Sequence, residues 1–276
     1  MIYSYPNTNF NIHQIANSGQ CFRWKWVDAG TNQYYKVPIC DFDAKVMNEA
    51  NEVLVSTEAP EYLVRRYFDM DTDYSQIISE IPEEDEFLKE AAQMFSGLRI
   101  LIQPQFETIV SFIISQNNNI PKIKKSIEAL CDQTDGSFPG PADMYRVDLG
   151  KCGLGYRQKY IEDLIHRHYF IPEEGSSYKQ AMQFYQNFKG IGPKVANCIC
   201  LYGLHYLEAC PIDVWMKKII DNRYGSKNPG WMNSKWAGVY QQYCFCYERY
   251  AIQNNPDTYK ITYILYEIWI FRFLLP

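Results

Sequence analysis

The stretch from Asn187 to Ile219 reads NFKGIGPKVANCICLYGLHYLEACPIDVWMKKI. Gly190 and Gly192 bracket Ile191, and both are expected to permit positive φ and a tight reversal. Pro193 suits the first position of a helix, where its missing N–H removes no bond. The preceding SSYKQAMQFYQNF (Ser176 to Phe188) leads into the turn as a helix, and residues 193 to about 206 continue as a second one. The spacing therefore predicts helix, hairpin, helix. The hairpin amides and the start of the second helix then form a site for one phosphate. An ordinary packing corner between two helices is the alternative reading of the hairpin alone.

Lys194 falls at the second helical position. There the positive end of the helix dipole opposes an ammonium by about 0.3–1 kcal/mol. For stability alone the charge has the wrong sign. A neutral amine is a nucleophile and an ammonium is not, so Lys194 is a candidate catalytic residue. A surface lysine, or one that contacts phosphate, is the competing reading. Asp213, in CPIDVWMKKI, precedes an apolar helical run and is expected to cap it. A cap carboxylate has a fixed position, and near a nucleophilic amine it can stabilise a developing cation.

The rest of the chain divides in two. Residues 1 to about 95 read as strand-rich: CFRWKWV (Cys21 to Val27), YYKVPICDF (Tyr34 to Phe42) and EVLVST (Glu52 to Thr57) are β-branched or aromatic and separated by turn residues. From about Gly97 the period becomes helical. Pro104 to Gln116 carries apolar residues at 106, 109, 110, 113 and 114, and Tyr156 to Tyr169 is amphipathic. The expected class is α+β: an N-terminal antiparallel β-sheet domain, 1–95, followed by a mostly α-helical helix–hairpin–helix body, 96–276.

The chain has 276 residues and a formal net charge of -5, which argues mildly against nucleic acid as a partner. Phosphate affinity depends on a local basic face, however, and not on the sum. Lys122, Lys124 and Lys125 cluster near one turn, Arg157 and Lys159 near another, and Lys189 and Lys194 near the hairpin. Solvated helix ends would show the same clusters. The nine cysteines are odd in number and follow no secretory signal, so reduced thiols in a cytoplasm are expected. Cys198/Cys200 and Cys244/Cys246 have C-x-C spacing, which does not suggest structural zinc, and no metal is expected. Lys260, Glu267 and Arg272 interrupt the apolar run Tyr259 to Leu275, which reads as a buried or partner-facing helix and not a membrane span.

Five segments in order carry a wider pattern: NSGQCFRW, SFIISQNNNI, GLGYRQKYI, GIGPKVANCICL with PIDV, and WAGVYQQYCF. Together they resemble the 8-oxoguanine DNA glycosylase/AP lyase family of the helix–hairpin–helix, Gly/Pro…Asp superfamily, and are similar to its clostridial-type bacterial branch. The resemblance spans nearly the whole chain. It implies a bifunctional base-excision enzyme acting on duplex DNA that contains 8-oxoguanine, as a cytoplasmic monomer of a bacterial cell that needs no cofactor.

By that resemblance Lys194 attacks the sugar C1′ and forms an imine, and Asp213 stabilises the oxocarbenium-like sugar. Asn117 fills the gap left by the extruded base, Tyr156 wedges the opposite strand, and Arg157 reads the estranged cytosine. Gln241 reads the Watson–Crick edge of the lesion, Phe245 stacks on it, and Cys198 is the opposite wall. The Gly19 carbonyl accepts from N7–H, a hydrogen that guanine lacks. Gly190 and Gly192 hold DNA phosphate. Two positions depart from the family pattern. Lys122 stands where a second arginine is usual, which implies weaker discrimination of the opposite base, since a lysine is a point donor and not a fork. Trp215 stands where a histidine near phosphate is usual.

Other readings remain at this level. Glycosylases for adenine mispairs or oxidised pyrimidines often carry a four-cysteine iron–sulfur loop after the hairpin motif, and here only Cys210 is nearby. A DNA-binding module would use the hairpin alone and give Asp213 no role.

Overall fold

The computed structural model describes residues 1–30, 32–167 and 170–254. Among them, strands β1 (Ile2–Pro6), β2 (Lys25–Ala29), β3 (Asn32–Ile39), β4 (Phe42–Glu49) and β5 (Glu52–Thr57) form one antiparallel sheet in the order β1-β5-β4-β3-β2. Side chains alternate along these strands. Val37 and Ile39 of β3, Val46 of β4, and Val53 and Val55 of β5 all turn inward. They pack on helix α1 (Ile12–Asn17) through Ile12 and Ile15, and on α2 (Glu61–Tyr67) through Val64 and Tyr67. Burying each such aliphatic side chain contributes roughly 1.5–3 kcal/mol.

The sheet differs from the sequence expectation in three places. YYKVPICDF is two strands, not one: Ile39 pairs with Phe42, and Cys40 at φ 52 begins a two-residue turn. CFRWKWV is extended in the sheet only from Lys25, because Trp24 turns into the core and donates Nε1 to the Tyr67 hydroxyl at 2.9 Å. β1 and most of β4 are polar enough in sequence to be missed; their pairing with β5 places them.

The helical body comprises α3 (Tyr74–Ser79), α4 (Glu86–Met94), α5 (Gln105–Ile114), α6 (Ile120–Cys131), α7 (Gln158–His166), α8 (Tyr178–Gln186), α9 (Pro193–Tyr202), α10 (Val214–Tyr224) and α11 (Ala237–Asn254). α3 and α4 fall within the first 95 residues, yet Ile77, Leu88 and Ala91 pack into the helical core and not under the sheet. The helix expected from Tyr156 begins as a single 3-10 turn over Gly155–Arg157 and is α-helical only from Gln158. The apolar run Tyr259 to Leu275 lies outside the described residues. Among the described residues no helix is long and apolar enough to cross a membrane.

Two buried side chains tie the cores together. Arg99 donates to the carbonyls of Phe68 (3.0 Å), Asn9 (2.9 Å), Asp69 (2.5 Å) and Thr72 (3.0 Å), and its guanidinium lies 4.3 Å from the Tyr74 ring centroid. A buried charge survives only with such complete pairing. Gln20 is fully buried; its Nε2 donates to the Arg99 carbonyl at 2.9 Å and its Oε1 accepts from the Leu101 amide at 2.7 Å. The Gln20 carbonyl in turn accepts from Gln103 Nε2 at 2.7 Å. These bonds fix the Ser18–Gly19 turn relative to the helical body.

Candidate active site

The hairpin forms as the spacing predicts. Ser177 and Gln180 make a capping box that starts α8, and Pro193 takes the first position of α9. Gly190 sits at φ 79, and a Cβ there would lie 2.4 Å from Cδ2 of Tyr160, whose ring covers the turn. Gly192 corrects the expectation: its φ of -86 and ψ of 179 are extended backbone that any residue adopts, and nothing lies within 4 Å of an added Cβ. Its smallness keeps one side of the turn open and does not serve a left-handed backbone. Among the described residues, neither the Gly190 nor the Gly192 amide meets a protein acceptor, so both are available to an anion at the N-terminus of α9. α9 ends at Tyr202, earlier than expected, because the chain turns at Gly203, where a Cβ would come within 3.0 Å of the Ile199 carbonyl.

Lys194 is half-buried at the second position of α9. Its Nζ lies 5.3 Å from the centroid of Phe112, a ring stacked on Tyr202 (5.3 Å, 16°) and met edge-on by Phe22. Among the described residues no carboxylate pairs with Nζ. Cys198, one turn along the same face, is buried. Burial pushes its thiol up; the charge of Lys194 opposes that rise, Asp213 adds to it, and a hydrogen bond with Lys194 lowers it again. The lysine, the thiol and the carboxylate thus share one electrostatic neighbourhood. Asp213 caps α10, with Oδ1 accepting from the Met216 amide at 2.9 Å. That bond fixes the carboxylate at the start of α10 through one of its two oxygens. Trp215 follows in the first turn of α10, half-buried, with Lys218 Nζ 5.2 Å from its ring centroid.

A second cluster joins the ends of the described chain. Gly19 sits at φ 78, and a Cβ there would be 3.8 Å from Cε1 of Phe245 and 3.8 Å from Nη1 of Arg249. The Arg249 guanidinium lies 5.3 Å from the Phe245 ring centroid. Gln241, one turn before Phe245 on α11, is buried, and its Oε1 accepts from Gln242 Nε2 at 3.0 Å. Arg249 and Gln242 had no role in the sequence reading. The i, i+4 spacing of Phe245 and Arg249 is the signal for the first; the amide doublet itself is the signal for the second.

A third cluster lies at the end of α5. Asn117 is exposed at φ 44, just past α5, and its Nδ2 donates to the Tyr156 hydroxyl at 3.4 Å. Arg157 is buried under it. Its Nε donates to the Gln116 carbonyl at 2.7 Å, Nη2 to the Asn117 carbonyl at 2.8 Å, and Nη1 to the Leu154 carbonyl at 3.3 Å; the guanidinium stacks 4.5 Å from the Tyr156 ring centroid. The guanidinium that the resemblance assigns to the estranged cytosine is thus also engaged by main-chain carbonyls, those of Gln116 and Asn117 just past the end of α5 and that of Leu154. Lys122, exposed in the first turn of α6, makes no side-chain contact with this group among the described residues.

A helical hairpin that opens onto a half-buried lysine, with a capping aspartate beside it, defines a helix–hairpin–helix enzyme of the Gly/Pro…Asp class. Residues 2–109 match the 8-oxoguanine DNA glycosylase N-terminal domain family. The N-glycosylase/DNA lyase of Saccharomyces cerevisiae is 30% identical, over 77% of this chain and 68% of its own length. The 8-oxoguanine glycosylase/lyase of Clostridium acetobutylicum, in its apo form, is 29% identical with a TM-score of 0.79, covering 90% of this chain and 98% of its own. The same enzyme bound to duplex DNA with cytosine opposite 8-oxoguanine also aligns with a TM-score of 0.79, at 29% identity over 92% of this chain and 98% of its own. The chain belongs to the 8-oxoguanine DNA glycosylase/lyase family.

Proposed function

We propose that this protein extrudes 8-oxoguanine from duplex DNA, releases it, and nicks the abasic strand through an imine on Lys194. The observation that carries the reading is Lys194 at the second position of α9, just after the hairpin and one turn before buried Cys198, with the charge of the α10 cap Asp213 also acting on that thiol. Extrusion costs a few kcal/mol of lost stacking and pairing. Asn117 takes the vacated space beside Tyr156, and the amides of Gly190 and Gly192 hold a backbone phosphate with Trp215 alongside. Lys122 meets the opposite strand as a point charge. Arg157 serves the opposite cytosine from its place under Asn117.

In the slot, the Gly19 carbonyl accepts from N7–H, Gln241 faces the Watson–Crick edge, and Phe245 and Cys198 close on the two faces of the base. The Lys194 amine attacks C1′ as the glycosidic bond breaks, and the base leaves after taking up a proton. Asp213 stabilises the positive charge that builds on the sugar. The resulting imine acidifies the C2′ hydrogen, and its removal expels the 3′ phosphate in β-elimination.

In this reading residues 1–95 hold the base-sensing turn and residues 96–276 the glycosylase body, with α3 and α4 packing on the latter. The protein acts as a monomer on DNA in the cytoplasm, at the nucleoid of a bacterial cell.

Borohydride trapping on a duplex with one 8-oxoguanine tests the proposal, with wild type and Lys194→Gln side by side. A covalent adduct with wild type alone is expected. Release of the free base without any adduct would overturn the lyase, and absence of both would overturn the substrate.

A further inference from the structure

The three asparagines after α5 divide their work. Asn118 Nδ2 donates to the Ile114 carbonyl at 3.1 Å and closes the end of α5, and Asn119 Oδ1 accepts from the Lys122 amide at 3.0 Å and starts α6. Asn117 is left exposed, with a left-handed φ of 44, and among the described residues its side chain meets only the Tyr156 hydroxyl, at 3.4 Å. Neither the Gln116 nor the Asn117 carbonyl accepts from a main-chain amide among the described residues. Arg157 supplies the donors instead. Nε and Nη2 both donate to Gln116, and Nη2 donates to Asn117 at 2.8 Å. Arg157 is itself anchored: it is buried, its Nη1 donates to the Leu154 carbonyl at 3.3 Å, and its guanidinium lies 4.5 Å from the Tyr156 ring centroid. Four of the five guanidinium N–H groups thus meet main-chain carbonyls, and one, on Nη1, remains.

We propose that Arg157 is a positioning residue that acts through Asn117: it holds the Gln116–Asn117 backbone so that the Asn117 side chain stands where the extruded base leaves its gap. The inference rests on the reading that Asn117 takes that space. The left-handed region is sparsely populated by residues other than glycine, and asparagine is among those that tolerate it best. Without donors for its carbonyls this exposed turn would return to the commoner backbone regions, and the Asn117 amide would point elsewhere. A gap must be filled whatever base stands opposite. Arg157 therefore supports extrusion in general and contributes little to the choice of partner base. Reading the acceptors of cytosine as a fork takes two N–H groups, and Arg157 has one left. Lys122, a point donor, does not supply the missing fork.

The test measures single-turnover excision of 8-oxoguanine opposite each of the four bases, for wild type, Arg157→Met, Asn117→Ala and the double variant. Arg157→Lys, which keeps the charge with fewer donors, is measured alongside, with a thermal melt of each protein. Arg157→Met is expected to slow excision about tenfold or more, the worth of a hydrogen bond from a charged group. The factor should be the same opposite all four bases. In the Asn117→Ala background the same substitution should add less than about threefold, because the residue it acts through is gone. A loss confined to cytosine pairs would make Arg157 a reader of that base and overturn the inference. So would losses that multiply in the double variant. Early melting of both Arg157 variants would assign the guanidinium to the fold alone and overturn it as well. Asn117→Ala excising as fast as wild type would overturn the gap-filling reading and the inference with it. If wild type releases 8-oxoguanine from no pair, the substrate reading itself fails, and that outcome is distinct from the others.

Discussion

The proposed catalytic centre and the proposed base-sensing slot are built in opposite ways. The first is local: Gly190, Lys194, Cys198 and Asp213 come from one hairpin, the helix it starts and the cap of the next. The second joins Gly19, in a turn after α1, to Phe245 and Arg249 near the end of the described chain. A local centre is fixed by helix starts and turn chemistry, and tolerates change elsewhere. A slot closed from two ends depends on everything that holds the cores together, above all the bonds of Gln20 and Arg99. The difference teaches that reaction type and base specificity can drift separately in such a fold.

Asp213→Asn is the sharpest probe of the local centre. Asparagine caps a helix as well as aspartate does, so the melting temperature is expected to hold. Base release should fall about 10²- to 10³-fold, since the carboxylate charge is lost. Single-turnover kinetics beside a thermal melt checks both halves. A variant that melts early would show that Asp213 matters as a cap.

Within the hairpin the two glycines separate strain from access. Gly190→Ala brings a left-handed φ and a clash with the Tyr160 ring, together about 2–4 kcal/mol of stability by denaturant unfolding. Gly192→Ala should change stability by less than about 0.5 kcal/mol and appear only as weaker, more salt-sensitive binding to duplex DNA. Equal stability losses would contradict the extended backbone at Gly192.

Gly19→Ala probes the other region. The added methyl meets only ordinary contacts at 3.8 Å, so the cost comes from φ 78 and is about 1–2 kcal/mol, displacing the carbonyl. Excision of 8-oxoguanine should slow about tenfold while nicking of a preformed abasic site stays normal, because the proposed hydrogen bond from the base to the Gly19 carbonyl is lost and Lys194 and Asp213 are untouched. Parallel loss of both would tie the two regions together. The smallest effect is expected from Lys122→Arg, which would supply a fork where Lys122 is proposed to meet the opposite strand as a point charge. The preference for cytosine opposite the lesion should sharpen by a few fold in excision assays across the four pairs.

How much of this was legible in the sequence follows the same division. The hairpin, the helix start at Pro193 and the cap at Asp213 were readable because each is a backbone rule acting over a few residues. The α+β order was readable from the change of period near Gly97. β1 and the polar half of β4 were not, because pairing with β5 and not their own composition makes them strands. The extended backbone of Gly192 was misread because Gly-x-Gly suggests two positive φ angles where the turn uses one. The roles of Gly19 and Phe245 came from resemblance to a family, since no local pattern says that two distant segments meet. The bonds that occupy Arg157 were also out of reach, for they depend on where α5 happens to end.

The grip of Arg157 on the carbonyls of Gln116 and Asn117 has a kinetic consequence. Asn117 has a left-handed φ of 44, and its carbonyl accepts from Arg157 Nη2, whose guanidinium stacks on the Tyr156 ring. A repair enzyme samples a great many sound base pairs for each damaged one. If Asn117, in its proposed role of entering the duplex, had to be ordered afresh at every pair, the conformational entropy of a few residues, about 1–2 kcal/mol each, would recur at each step of the search. A probe set rigid when the protein folds meets that cost once. The dwell on each pair is then limited by the DNA's own opening, and the protein can scan quickly without loosening its grip.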